Sequence, residues 1–171
     1  MMRLPHRVRR GPSALSVILR VGLIAGTLDI TETLIFNQLR GVTPKMVFQY
    51  IASGLIGMNS FELAWASVIL GVALHYLIAL TWTAVFYAAS RKLSILGRRP
   101  VICGLFYGGI VYLSMNWIVL PLSGVPPAPK AMTVASRISG VLAVLFCIGL
   151  TISLLVRRSM SGNVRSNATL P

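Results

Sequence analysis

Acidic side chains are scarce in this sequence. Its 171 residues carry three Asp and Glu against sixteen Lys and Arg, a formal charge of +13. Charged residues of either sign reach only 11%, where soluble domains hold about 25%. Cysteine is scarce too. Cys103 and Cys147 both lie in apolar runs, form no CxxC pair and have no His or Asp at ligand spacing, so they read as small packing residues, and neither a metal nor any other cofactor is expected. HExxH, GxSxG, a Walker loop, a GxGxxG after a strand and an EF-hand loop are all missing, which leaves soluble-enzyme chemistry unsupported. The positive charge does not point to nucleic acid. The arginines sit in short clusters between apolar runs, not along an amphipathic or aromatic-interleaved face.

What is abundant is apolar surface: 56% of the residues are hydrophobic and the mean hydropathy is +0.80. Four runs, at about 14–39, 64–89, 101–122 and 132–156, are long enough to cross roughly 30 Å of hydrocarbon. The expected fold is all-α, a four-transmembrane-helix bundle over 14–156 in a multi-pass membrane protein. Residues 1–13 and 157–171 read as basic cytoplasmic tails. The first run is too long for a signal-peptide core, holds Asp29 and Glu32, and lacks a following A-x-A site, so it reads as a retained span. "RKLSILGRRP" and "SGVPPAPK" punctuate the later spans. Eleven Lys and Arg flank the spans on the side of the termini and three on the other, which predicts both termini in the cytoplasm.

Between the first two spans, Thr43 is a good N-cap, Pro44 suits the first helical position and Gly57 can close the last turn. A helix over about 44–56 follows, too short to span. Lys45, Gln49 and Ser53 would form one edge, set against Met46, Phe48, Tyr50, Ile51 and Leu55. An interfacial helix on the outer face is the expectation, with a re-entrant turn at "ASGLIG" as the alternative.

The stretches "GLIAGTLDI", "TPKMVFQYIASGLIG", "GVALHYLIALTWTAVFY" and "GLFYGGIVYLSMNWIVLPLS", in this order, resemble a group of small bacterial inner-membrane proteins of unknown function, similar to the YagU family. The likeness covers about 19–123. It implies a bacterial inner-membrane location and brings no catalytic residues. The association of YagU-like proteins with acid resistance is carried over to no residue of this chain.

Ionisable groups inside a span are costly, so their positions carry information. At about 1.5 Å per residue, Asp29 lies roughly 22 Å up the first span, with Asn116 and Arg137 at a similar height on the third and fourth. Glu32 sits one turn beyond Asp29 on the same face, and His75 nearer mid-membrane on the second span. Two readings stand. In one, Asp29, Glu32, Asn116 and Arg137 converge above His75 around a polar cavity that binds a proton, an ion or a small solute. In the other, Asp29 faces Arg137 in an ion pair, with Asn116 bonded to it, and the layer only orders the bundle. Arg20, near its helix end, can snorkel and takes no site role.

Three small-residue strips, Gly22-x-x-x-Gly26, Gly104-x-x-x-Gly108 and Ser136-x-x-x-Gly140, predict close helix approach, with spans one and three crossing at the first two. Trp65 and Trp117 suit interfacial anchoring, and Trp82 the core. The functional expectation is a non-catalytic structural or accessory protein. The alternative is a small transporter, channel-like or proton-handling protein, and an intramembrane enzyme built on His75, Glu32 and Asp29 comes third. The expected partners are the lipid bilayer and either a second copy of the chain or a membrane partner protein.

Overall fold

The computed structural model describes residues 13–126 and 133–167. Residues 1–12, 127–132 and 168–171 lie outside it, and with them most of the expected N-terminal tail, part of the "SGVPPAPK" connection, the first residue expected of the fourth span and the end of the expected C-terminal tail. Among the described residues there is no strand, and four helices are long and apolar enough to cross a membrane. They are α1 (Ala14–Gln38), α3 (Ala64–Lys92), α5 (Pro100–Leu122) and α6 (Val134–Met160). Two shorter helices, α2 (Pro44–Ile56) and α4 (Ser94–Arg98), fill the first and second connections. The chain is an all-α four-helix bundle and a multi-pass membrane protein. Helical backbone continues beyond α6 to Asn167, over much of the stretch expected as a tail.

Helix starts follow the local chemistry. Ser13, Thr43 and Thr133 each accept a bond from the amide three residues on, capping α1, α2 and α6. Pro44 and Pro100 open α2 and α5, where a missing N–H costs nothing. Gly57 ends α2 at φ 61 and donates its N–H to the Ser53 carbonyl, a conformation that suits glycine.

The core is narrow. Val17, Val21 and Ala25 of α1 meet Phe86 of α3, Val111 of α5, and Ile148, Ile152 and Val156 of α6. Trp82 packs beside this cluster, its ring edge-on to Tyr107 at 6.3 Å, and the Tyr107 hydroxyl donates to the Trp82 carbonyl at 2.5 Å. Leu23, Leu77, Phe106, Trp117 and Leu142 point outward and exposed, as apolar side chains do when the surrounding solvent is lipid.

The glycine strips work in pairs other than the expected one. A Cβ added at Gly22 would lie 2.7 Å from Leu80 Cδ2, and one at Gly26 3.0 Å from Ala79 Cβ, both on α3. At Gly104 and Gly108 it would meet α6, at 2.9 Å from Ser153 Cβ and 2.8 Å from Leu145 Cα. The expected crossing of spans one and three is therefore replaced by an α1–α3 pair and an α5–α6 pair. Gly140 has only the Tyr112 ring, 4.0 Å away, and Ser136 is occupied in capping bonds with Thr133, so the third strip is not a close-packing surface.

Helix α2 also turns over relative to expectation. Its edge of Gln49 and Ser53 is buried in the bundle, at 4% and 0% exposure, while Met46 and Leu55 face outward. The cause is a set of partners the sequence keeps elsewhere. Gln49 Nε2 donates to the Ser60 carbonyl at 3.2 Å and to Ser67 Oγ at 3.4 Å, and Ser60 Oγ donates to the Gln49 carbonyl. Lys45 alone of that edge stays exposed. Val47 and Ala52 are buried beside Gln49 and Ser53, so the face of α2 that packs on the bundle is mixed, with its polar groups bonded inside.

Candidate functional site

The inward stripe of α1 runs Val17, Val21, Ala25, one residue per turn. The next steps on the same face are Asp29 and Glu32, so the stripe that builds the core becomes acidic at that level. Opposite, α3 brings His75. Its Nε2 lies 2.8 Å from the Gly26 carbonyl; a carbonyl only accepts, so Nε2 carries a hydrogen and donates it there. The Tyr76 and Thr27 hydroxyls bond across the same helix pair at 3.0 Å, and the His75 and Tyr76 rings meet edge-on at 5.3 Å.

Asp29 lies within electrostatic reach of His75 and of Glu32. Glu32 Oε1 in turn accepts a hydrogen bond from Ser139 Oγ of α6 at 2.5 Å. Cys147, two turns further along α6, lies close enough for both carboxylates to act on it electrostatically. Two carboxylates, an imidazole and a hydroxyl thus come together from α1, α3 and α6. The backbone of α6 departs from α-geometry beside them: Val144–Leu150, which contains Cys147, is a π-helical stretch. Such wide turns recur at functional positions in helices.

Of the five residues the sequence nominates, Asp29, Glu32 and His75 are brought together. Asn116 is not among them, because its side-chain nitrogen donates to the Tyr112 carbonyl of its own helix at 2.8 Å. Arg137 is exposed, and the ionisable groups that act on Asp29 are His75 and Glu32, so the expected Asp29–Arg137 pair does not form. Successive residues of a helix point about 100° apart; with Ser136 and Ser139 directed at α1, Arg137 points away from it. The arginine that reaches α6 from the α1 side is Arg40, which donates to Ser136 Oγ and lies over the Phe36 ring at 5.6 Å.

Sequence reasoning missed Ser139 and Cys147. The signal was present, since Ser139, Ala143 and Cys147 repeat every four residues along one face of α6. Glu32 bonds to Ser139 and His75 to the Gly26 carbonyl, and none of the cluster residues lines either of the two cavities found elsewhere in the bundle. Comparisons with known protein families, characterised proteins and solved structures return no match to this chain.

Proposed function

We propose that the working part of this membrane protein is the Asp29–His75–Glu32 cluster, and that it takes up and releases a proton or a small cation in a transporter, channel-like or proton-handling protein. The observation that carries this reading is the convergence, inside the apolar helices, of two carboxylates and an imidazole held by its Nε2 on the Gly26 carbonyl. Ionisable side chains within a span mark ion and proton pathways by default. Ser139 anchors the outer carboxylate, and Asp29 stands between Glu32 and His75 as the group able to exchange with either. Four spans are few for a transporter, so the working unit under this reading is a dimer or larger.

Proteoliposomes loaded with a pH-sensitive dye test the proposal. Wild-type protein should support proton or cation flux, and Asp29→Asn, Glu32→Gln and His75→Ala should each abolish it while remaining folded. Unchanged flux in all three would sink the reading. An accessory role is the second reading, favoured by the apolar outward edge of α2 with Met46, Leu55 and the nearby Trp65 exposed; a protein co-purifying at fixed stoichiometry and lost on Leu55→Ser would support it.

The same proposal gives a bacterial inner membrane with both termini cytoplasmic. Its support is the excess of Lys and Arg on the side of the termini. Activity, after Pro171, of a fused reporter that works only on the non-cytoplasmic side of the membrane contradicts this orientation.

A further inference from the structure

At the end of the bundle where α1 begins, a cavity of about 340 Å³ opens between the end of α3, helix α4 and α6. Arg91, Lys92 and Arg157 line it, and its inner wall is apolar, with Phe86, Leu96 and Met160. The three cations have no carboxylate side chain near them. The chain's acidic residues are Asp29, Glu32 and Glu62; the first two lie along α1 toward the α2 end, and the third just before α3 at that same end. A cationic rim above an apolar wall, set where spanning helices leave the apolar zone, matches an amphiphile with a negative head. We propose that this cavity binds one anionic phospholipid, its phosphate held by Arg91, Lys92 and Arg157 and the first part of an acyl chain laid against Phe86, Leu96 and Met160. Guanidinium groups pair with phosphate in bidentate fashion, and basic pockets between spanning helices are suited to such headgroups. The inference is independent of the reading of the Asp29 cluster.

The test uses the full chain in an uncharged maltoside detergent, with phosphatidylglycerol, phosphatidylcholine and inorganic phosphate as separate probes. Native mass spectrometry and thermal unfolding read binding. Phosphatidylglycerol should bind saturably at one per chain and raise the unfolding temperature, whereas phosphatidylcholine should not. R91Q/R157Q should weaken phosphatidylglycerol binding roughly thirtyfold, as expected for two lost cations. R98Q/R99Q, which removes the same charge outside the cavity, should leave it within about twofold of wild type. Equal weakening by the two pairs would mean a diffuse field and overturn the proposal, and so would a phosphatidylcholine response equal to that of phosphatidylglycerol. Inorganic phosphate matching the lipid would overturn the lipid assignment in favour of a soluble phosphate site. Should R91Q/R157Q unfold without lipid, Lys92→Gln gives the same reading from the third cation, and undiminished binding there counts against the proposal.

Discussion

Replacing Gly108 by Ala should weaken the bundle, while the same change at Gly109 should strengthen it slightly. A methyl group on Gly108 would sit 2.8 Å from Leu145 Cα and 2.9 Å from the Val144 carbonyl oxygen. Carbon atoms are comfortable at about 3.5–4.0 Å, so α5 and α6 would have to part by roughly 1 Å there. Both obstructing atoms are backbone, and no rotamer change can move them. The separation would spread to Gly104, which faces Ser153 one turn away. Overpacking of this kind costs about 1–3 kcal/mol. A methyl on Gly109 meets nothing within 4 Å, and exchanging Gly for Ala inside a helix gains about 0.5–1 kcal/mol. The two variants should therefore differ by about 1.5–4 kcal/mol in opposite directions from wild type. Reversible unfolding in maltoside micelles titrated with dodecyl sulfate measures this directly. Variants of equal stability would refute the close α5–α6 approach and the reasoning built on it.

Other outcomes follow from single contacts. Asp29→Asn and Arg137→Gln should be additive within about 0.5 kcal/mol in a double-mutant cycle, and strong recovery in the double variant would restore the ion pair the geometry denies. Ser139→Ala removes the hydroxyl bonded to Glu32 and should cost about 0.6 kcal/mol of unfolding free energy, the average for interhelical hydrogen bonds in membranes; no loss in the same micelle assay would argue against that contact. Ala64 opens α3 at φ 46, where a Cβ is strained, so Ala64→Gly should stabilise by about 1 kcal/mol, and a destabilised variant would contradict the backbone assigned there.

The spans, the Thr43–Pro44 start and Gly57 end of α2, and the placing of Asp29 and Glu32 on one face of α1 could be read directly from spacing. What could not be read is direction around each helix axis relative to its neighbours, because sequence does not state the order of helices around a bundle. That is why Arg137 points away from Asp29, and why Gly22 and Gly104, expected to face each other, each face a different helix. Helix α2 was misread for a related reason. The rule that polar edges face water assumes water, and the buried partners of Gln49, at Ser60 and Ser67, lie beyond the helix itself. Ser139 and Cys147 resemble ordinary packing residues until Glu32 is set beside them.

The wide turn at Val144–Leu150 bears on how this chain tolerates changes of length. A π-helical turn holds one residue more than the α-helical path needs, so its flanks are already in register for a helix one residue shorter. Deleting a single residue there would draw the turn into a regular helix and leave Ser139 before it and Ile152 after it facing as they do now. The same deletion one turn outside the stretch would rotate everything beyond it by about 100° and exchange the lipid-facing side of the span for its packed side. The fourth span therefore carries its own slack, concentrated beside the carboxylates.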